Sequence, residues 1–227
     1  MGTDNIFKEK RAALKERKKE LRTPKPNSFL IVSEGTKTEP NYFDGLAKHI
    51  NDKFGGNIHS EKPLINCQGE GKCTVSLVEE TSKIISRAPI LYSQVWVVFD
   101  KDDFVDFDDA ILLAEEQGYR VAWSNQSFEY WIYLHFNYSD SALHRDDWVD
   151  KLSELFKSYK INPNGYDKND PTIFEIATTR GSLKAAIGNA KRIENSYKTD
   201  RPSKCDPCTT VHKLILELEP YLSDLLY

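Results

Sequence analysis

The sequence predicts an α/β fold: a parallel sheet flanked by helices, with a basic N-terminal arm and a helical C-terminal extension. Three observations carry this. Between Phe29 and Phe136, strand-like and helix-like segments alternate four times, the pattern of parallel strands joined by helical crossovers. The segment VWVVF, residues 95–99, is apolar without a break, as in a strand buried on both faces. After Phe136 the alternation stops and only helical patterns follow.

The elements follow in order. Residues 6–22, IFKEKRAALKERKKELR, are strong helix formers with acid–base pairs at helical spacing. Thr23-Pro24-Lys25-Pro26-Asn27 breaks that pattern, because each proline disfavours helix in the residue before it. Residues 1–27 are therefore a basic arm and linker. A strand over FLIVS (29–33) leads to a helix over about 39–53 and a polar turn at Gly55-Gly56. A second strand is expected over 63–67, followed by the glycine-rich turn QGEGKC and a helix over 74–87. The third strand ends on Asp100, and a helix over 108–117 is closed by Gly118. A fourth strand, 119–124, runs into the aromatic helix SFEYWIYLHF, completing a core of residues 28–137. In the extension, 138–227, helices are expected over 147–160, 182–197 and 209–227, with the loop INPNGYDKNDP between the first two.

A chain of 227 residues, 39% of them hydrophobic, can bury one good-sized core. No apolar run approaches the roughly 20 residues needed to span a bilayer. MGTDNIFKEK lacks the apolar centre of a signal peptide, and four cysteines do not make a disulfide framework. A bacterial cytoplasmic location, without membrane partners, is the expectation.

Net charge is −4, but its distribution is uneven. Residues 8–25 carry nine Lys/Arg against three Glu, and residues 180–204 carry seven Lys/Arg against Glu194 and Asp200. Between them lies an acidic cluster: Asp100, Asp102, Asp103, Asp106, Asp108 and Asp109. Basic flanks around an acidic centre suit an enzyme that holds a polyanion and cuts it with a metal, although charge runs also serve as solvated faces.

Active groups in an open parallel sheet collect outside the carboxyl ends of the strands. The first strand here ends on Glu34; the third ends on Asp100, with Asp102 two residues on. Carboxylates brought together repel one another and stay ionised only with a cation between them. An all-oxygen set suits Mg2+ or Mn2+, and the chemistry it suits is phosphoryl transfer with a carboxylate as general acid or base.

At these residues the chain resembles the Toprim fold of topoisomerases, primases and related nucleases, which places a Glu after its first strand and an Asp-x-Asp after its third. It resembles the RloB-like family, which includes abortive-infection proteins, more closely. The residues that carry this are Ser33-Glu34-Gly35-Thr36-Lys37-Thr38-Glu39 with Tyr42-Phe43, then Asp100 and Asp102. Asn125-Gln126-Ser127-Phe128-Glu129-Tyr130-Trp131 follows, running on to His135-Phe136, and last comes Asp206-Pro207-Cys208-Thr209-Thr210-Val211-His212. Gln126 stands where proline is expected, and Asp206 where asparagine is expected. The resemblance implies a Toprim-type nuclease of phage defence, acting on RNA such as tRNA or on DNA. Metal ligands would be Glu34, Asp100 and Asp102, with Glu34 as general acid/base and Lys37 and Glu129 as further catalytic candidates. An ATPase or sensor protein is the expected restraining partner, and a homo-oligomer is compatible. The alternative is a non-catalytic subunit that binds nucleic acid or an ATPase.

Simpler readings stand beside these. Asp106, Asp108 and Asp109 suit the N-terminus of the following helix. Lys37 sits where a phosphate could meet it, or pairs with Glu39 or Asp102. Gly35 allows a sharp turn or a close approach of neighbouring atoms. Glu129, among so many aromatic residues, needs a partner or a metal. Arg180, Lys184, Lys191 and Arg192 are spaced to track phosphates, and His212 stands on the first turn of the last helix, where a phosphate could also bind. Cys205, Cys208 and His212 suggest zinc but lack a fourth ligand. QGEGKC lacks P-loop spacing, so ATP binding is not expected.

Overall fold

The computed structural model of the chain describes residues 28–55, 58–61, 73–103, 105–199 and 201–227. Its centre is a four-stranded, all-parallel sheet in the order β2-β1-β3-β4. The strands are β1 (Phe29–Ser33), β2 (Ile58–Glu61), β3 (Gln94–Asp100) and β4 (Arg120–Ser124). Helix α1 (Thr38–Phe54) follows β1, α2 (Cys73–Arg87) follows β2, and α3 (Phe107–Glu116) follows β3. Then come α4 (Glu129–Leu134), α5 (Arg145–Ser158), α6 (Ile173–Thr179), α7 (Leu183–Glu194), α8 (Val211–Glu217) and α9 (Ser223–Leu226).

Alternate residues of the strands feed two cores, as a pleated strand requires. Phe29, Ile31, Trp96 and Val98 pack with α1 (Tyr42, Phe43, Leu46, Ile50) and with helices α4 to α9. Leu30, Val32, Val97 and Phe99 pack with α2 (Leu77, Val78) and α3 (Phe107, Ala110, Ala114). The β3 run is thus buried on both faces, which is why it tolerates no polar residue.

Most expected elements appear within a residue or two of their expected ends. The strand beside β1 is Ile58–Glu61; the segment expected as a strand, 63–67, lies outside the described residues, as do the N-terminal arm and all of QGEGKC but its last residue. Asn51 of α1 brings Ile58 to its place, accepting from its backbone N–H at 3.0 Å and donating to its carbonyl at 2.8 Å. Gly118 takes φ +77°, the left-handed conformation that ends a helix.

Two expectations are corrected, and a third, the acidic N-terminus of α3, holds in position (Asp106 at the N-cap, Asp108 and Asp109 in the first turn) without a side-chain capping bond. The last helix is not continuous over 209–227: α8 stops at Glu217, a short 3₁₀ turn follows over Glu219–Tyr221, and α9 begins at Ser223. Pro220 is the cause, since it lacks an N–H and disfavours helix at the residue before it. Helix α6 arises where no helix was expected. Its Ile and Thr residues are weak helix formers, and burial of Ile173, Phe174 and Ala177 stabilises it. Asp106 occupies the N-cap position of α3, but its carboxylate accepts from Val75 N–H (3.2 Å) at the start of α2. Asp108 accepts from the backbone and hydroxyl of Ser203.

Candidate functional site

The connections leaving β1 and β3 part to opposite faces of the sheet, α1 on one and α3 on the other. Such a division opens a crevice at the carboxyl ends of the two strands. A cleft of about 380 Å3 lies there, lined by Thr36 and Lys37 of the β1–α1 loop, Thr38 and Glu39 of the first turn of α1, and Asp100, Asp102, Ser127, Glu129, Arg145, Asp146 and Lys168.

Each wall is fixed by backbone. Glu34 N–H donates to Val98 O at 3.0 Å, extending the ladder one residue past β1, and Lys101 N–H donates to Ser124 O at 2.9 Å. Asp100 Oδ2 accepts from Phe128 N–H at 2.8 Å, while Asp100 Oδ1 is buried with no hydrogen-bond partner. Asp102 lies in the left-handed region at φ +41° and receives Arg145 Nη1 at 2.9 Å. Glu129, only 3% exposed, accepts on Oε1 from Thr38 Oγ1 (3.1 Å) and Tyr166 OH (3.2 Å), with Lys168 Nζ at 3.3 Å.

The electrostatics follow from this crowding. Burial first, then the charges of Asp102, Glu39 and Asp106, pushes Glu34 up to about 8. Burial and then Glu129 push Glu39 up to about 7. Asp100 is raised well above the usual range by burial, then by Glu39, Glu129 and Asp102. A set of oxygen ligands that resists ionisation, with one buried carboxylate oxygen lacking a donor, fits a hard divalent cation in its chemistry. Among the described residues no three such side chains stand around one point as a finished metal shell, so a cation would have to draw them together.

Four expected site residues, Lys37, Asp100, Asp102 and Glu129, line this one cleft. Glu34 stands beside it, close enough for Asp102 to be the strongest charge acting on it. Among the described residues Lys37 has no ion pair. Sequence reasoning did not assign Glu39, Arg145, Tyr166 or Lys168 to the site. Glu39 stands within the SEGTKTE stretch, a signal that could have found it; nothing local marks the other three.

The basic stretch lies elsewhere, and none of its residues lines the cleft. Arg180 donates to Tyr159 O (3.0 Å), Lys184 lies over the Tyr227 ring, Arg192 lies over the Tyr138 ring, and Lys191 is exposed. His212 is corrected: it is 2% exposed, its Nε2 3.3 Å from Glu194 and its Nδ1 against Thr209 O, so it is a structural histidine without access to a phosphate. His135 is likewise internal, between Tyr42 OH and Trp131 O. Cys205 and Cys208 are buried free thiols, and burial raises Cys208 to about 12. No helix among the described residues is long and apolar enough to cross a membrane.

Comparison with known proteins agrees with the motif pattern. The family described as RloB-like protein matches residues 29–218, and the chain belongs to that family. No curated protein matches it. Among solved structures, the crystal structure of a sigma-54 interaction domain protein from Enterococcus faecalis is similar at 12% identity over 58% of this chain and 90% of that one. Its TM-score is 0.26, too low for a shared fold.

Proposed function

We propose that this member of the RloB-like family is a metal-dependent endonuclease of the Toprim type. It hydrolyses nucleic-acid phosphodiesters in bacterial anti-phage, abortive-infection defence, with RNA such as tRNA favoured over DNA. The observation that carries the reading is Asp100: a carboxylate at the end of β3 with Oδ1 buried and unpartnered, facing further carboxyl groups at the crevice between β1 and β3. Charge of one sign packed this way stabilises little by itself and suits a site that awaits a cation.

Glu34, Asp100 and Asp102 would hold Mg2+ or Mn2+. When bound, the ion would neutralise a phosphate oxygen and offset charge on the leaving oxyanion. Burial and the neighbouring carboxylates raise Glu34 to about 8 in the metal-free chain, and Glu34 would serve as the general acid/base. Lys37, without a carboxylate partner among the described residues, meets the phosphate. Glu129 would act as a further carboxylate of the cleft, its position set by the hydroxyls of Thr38 and Tyr166. The Arg180–Arg192 stretch, outside the cleft lining, would track the strand beyond the scissile bond, and an ATPase or sensor partner would restrain toxicity.

The test is cleavage by the purified protein and toxicity in cells. Asp100→Asn and Glu34→Gln are each expected to lower cleavage by about 10²-fold or more while leaving the fold intact. Full cleavage and full toxicity in both variants would overturn the assignment of the chemistry to Glu34 and Asp100, and a wild-type protein that cuts nothing would leave the non-catalytic reading, a subunit that binds nucleic acid or an ATPase.

A further inference from the structure

Three cations stand at the acidic cleft, and they come from separate parts of the chain. Lys37 belongs to the β1–α1 loop, Arg145 opens α5, and Lys168 lies in the loop between α5 and α6. Two of them rest on carboxylates, Arg145 on Asp102 at 2.9 Å and Lys168 on Glu129 at 3.3 Å. Neither pairing holds the fold together. The Arg145 and Asp102 side chains are 42% and 29% exposed, a setting in which an ion pair contributes little. Glu129 keeps hydroxyl donors from Thr38 and Tyr166 if Lys168 leaves. In the same cleft Ser127 is 4% exposed with its hydroxyl unpartnered, a buried donor facing a place that lacks an acceptor.

We infer that Arg145 and Lys168 exchange partners. In the free protein they sit on Asp102 and Glu129, and when a divalent cation engages the carboxylates they turn to the phosphates flanking the scissile bond, beside Lys37. The inference rests on the nuclease reading above and deepens it. It assigns the substrate-gripping residues to the cleft itself. Two physical arguments support it. A fixed positive charge beside a carboxylate competes with a metal for that carboxylate, so the Arg145–Asp102 pair and the metal are alternatives, while Lys168 opposes the metal through its charge at Glu129 in the same cleft. A guanidinium or ammonium released next to bound phosphate finds there an oxyanion of matching geometry and charge. Metal and nucleic acid then bind with positive coupling, each raising the affinity for the other.

The experiment uses the full chain with Arg145→Gln, Lys168→Gln and the conservative pair Arg145→Lys and Lys168→Arg. Calorimetry reads Mn2+ affinity without nucleic acid. Fluorescence anisotropy reads affinity for single-stranded RNA and DNA of one sequence, with Ca2+ present. Each Gln variant is expected to bind Mn2+ about threefold or more tighter, because a competing cation is gone, and to bind the better oligonucleotide about tenfold more weakly, because a phosphate contact is gone. Both charge-keeping variants are expected within about threefold of wild type for Mn2+. For the oligonucleotide, Lys168→Arg is expected within about threefold and Arg145→Lys between wild type and Arg145→Gln, since it keeps the charge and loses the planar fork. Wild-type oligonucleotide affinity in both Gln variants, or Mn2+ binding no tighter than wild type, overturns the exchange even if the wild-type protein cuts nucleic acid. A wild-type protein that binds neither Mn2+ nor either oligonucleotide overturns the nuclease reading and the exchange together.

Discussion

Glu34 keeps its proton in the folded protein up to about pH 8, whereas the unfolded chain releases it near the ordinary value of 4.5. Between those values the folded state binds the extra proton, so its stability falls as pH rises, by at most about 1.4 kcal/mol per pH unit for this one group. Without metal, Glu34→Gln should therefore be more thermostable than wild type, and the gap should widen from pH 5 to pH 8. A constant gap in melting temperature would show that Glu34 is not held as described. At Gly35 an added Cβ would collide with the Glu39 carboxyl, which is the flexible end of a side chain. Gly35→Ala should change unfolding free energy by less than about 1 kcal/mol yet push Glu39 from the cleft, lowering cleavage about tenfold. The close approach explains this glycine, since its backbone is not left-handed. The two residues that depart from the family pattern also touch: Gln126 Nε2 donates to Asp206 Oδ2 at 3.1 Å. Gln126 has φ +77°, which proline cannot adopt. Asp100 and Asp102 were legible because a strand that ends on a carboxylate aims it out of the sheet. Arg145 and Lys168 were not, because their partners lie 43 and 39 residues away in sequence.

Strand β4 forms one edge of the sheet, where unpaired backbone groups invite aggregation. Residues 208–210 close it: Asn125 N–H donates to Cys208 O (2.8 Å), Thr210 N–H to Trp123 O (2.8 Å), and Trp123 N–H to Thr210 Oγ1 (2.9 Å). Thr210→Val keeps the shape and removes that acceptor. It should lower stability by about 1–3 kcal/mol in urea unfolding, because the Trp123 N–H is buried. An unchanged midpoint would show that this edge is sealed by something else. The pairing explains why the family motif beginning at Asp206 sits so far from the sheet in sequence: it supplies the edge with a short antiparallel partner at Ser124 and Thr209. Helices with regular apolar spacing, such as α1 and α3, were legible from their own residues. Helix α6 was not, because its helical state depends on a surface supplied by α1.

The sheet and the helices after Phe136 share one core, in which Phe29 and Ile31 belong to the same apolar cluster as Trp148, Leu183 and Leu214. The fragment 1–137 would keep α1 and α4 on that face of the sheet but lose the cover of α5 to α9, exposing much of the shared core. It should show no cooperative thermal transition and should aggregate, an outcome read by calorimetry and light scattering. A sharp two-state transition in the fragment would mean that the extension is dispensable for folding. The cleft has the same dependence, since Arg145, Asp146, Tyr166 and Lys168 all come from the extension while Glu39, Asp100, Asp102 and Glu129 come from the core of residues 28–137.

Hydrophobic period, proline and glycine placement, and strand-end carboxylates are local properties. From them the sequence by itself determined the parallel α/β sheet, most helix positions and the acidic half of the site. Which cations face those carboxylates, that His212 turns inward to Glu194, and that Gln126 meets Asp206 are matters of long-range packing. Only the tertiary structure decided them, because a charge finds its partner through the cores that bring distant segments together, and sequence spacing carries no record of that distance.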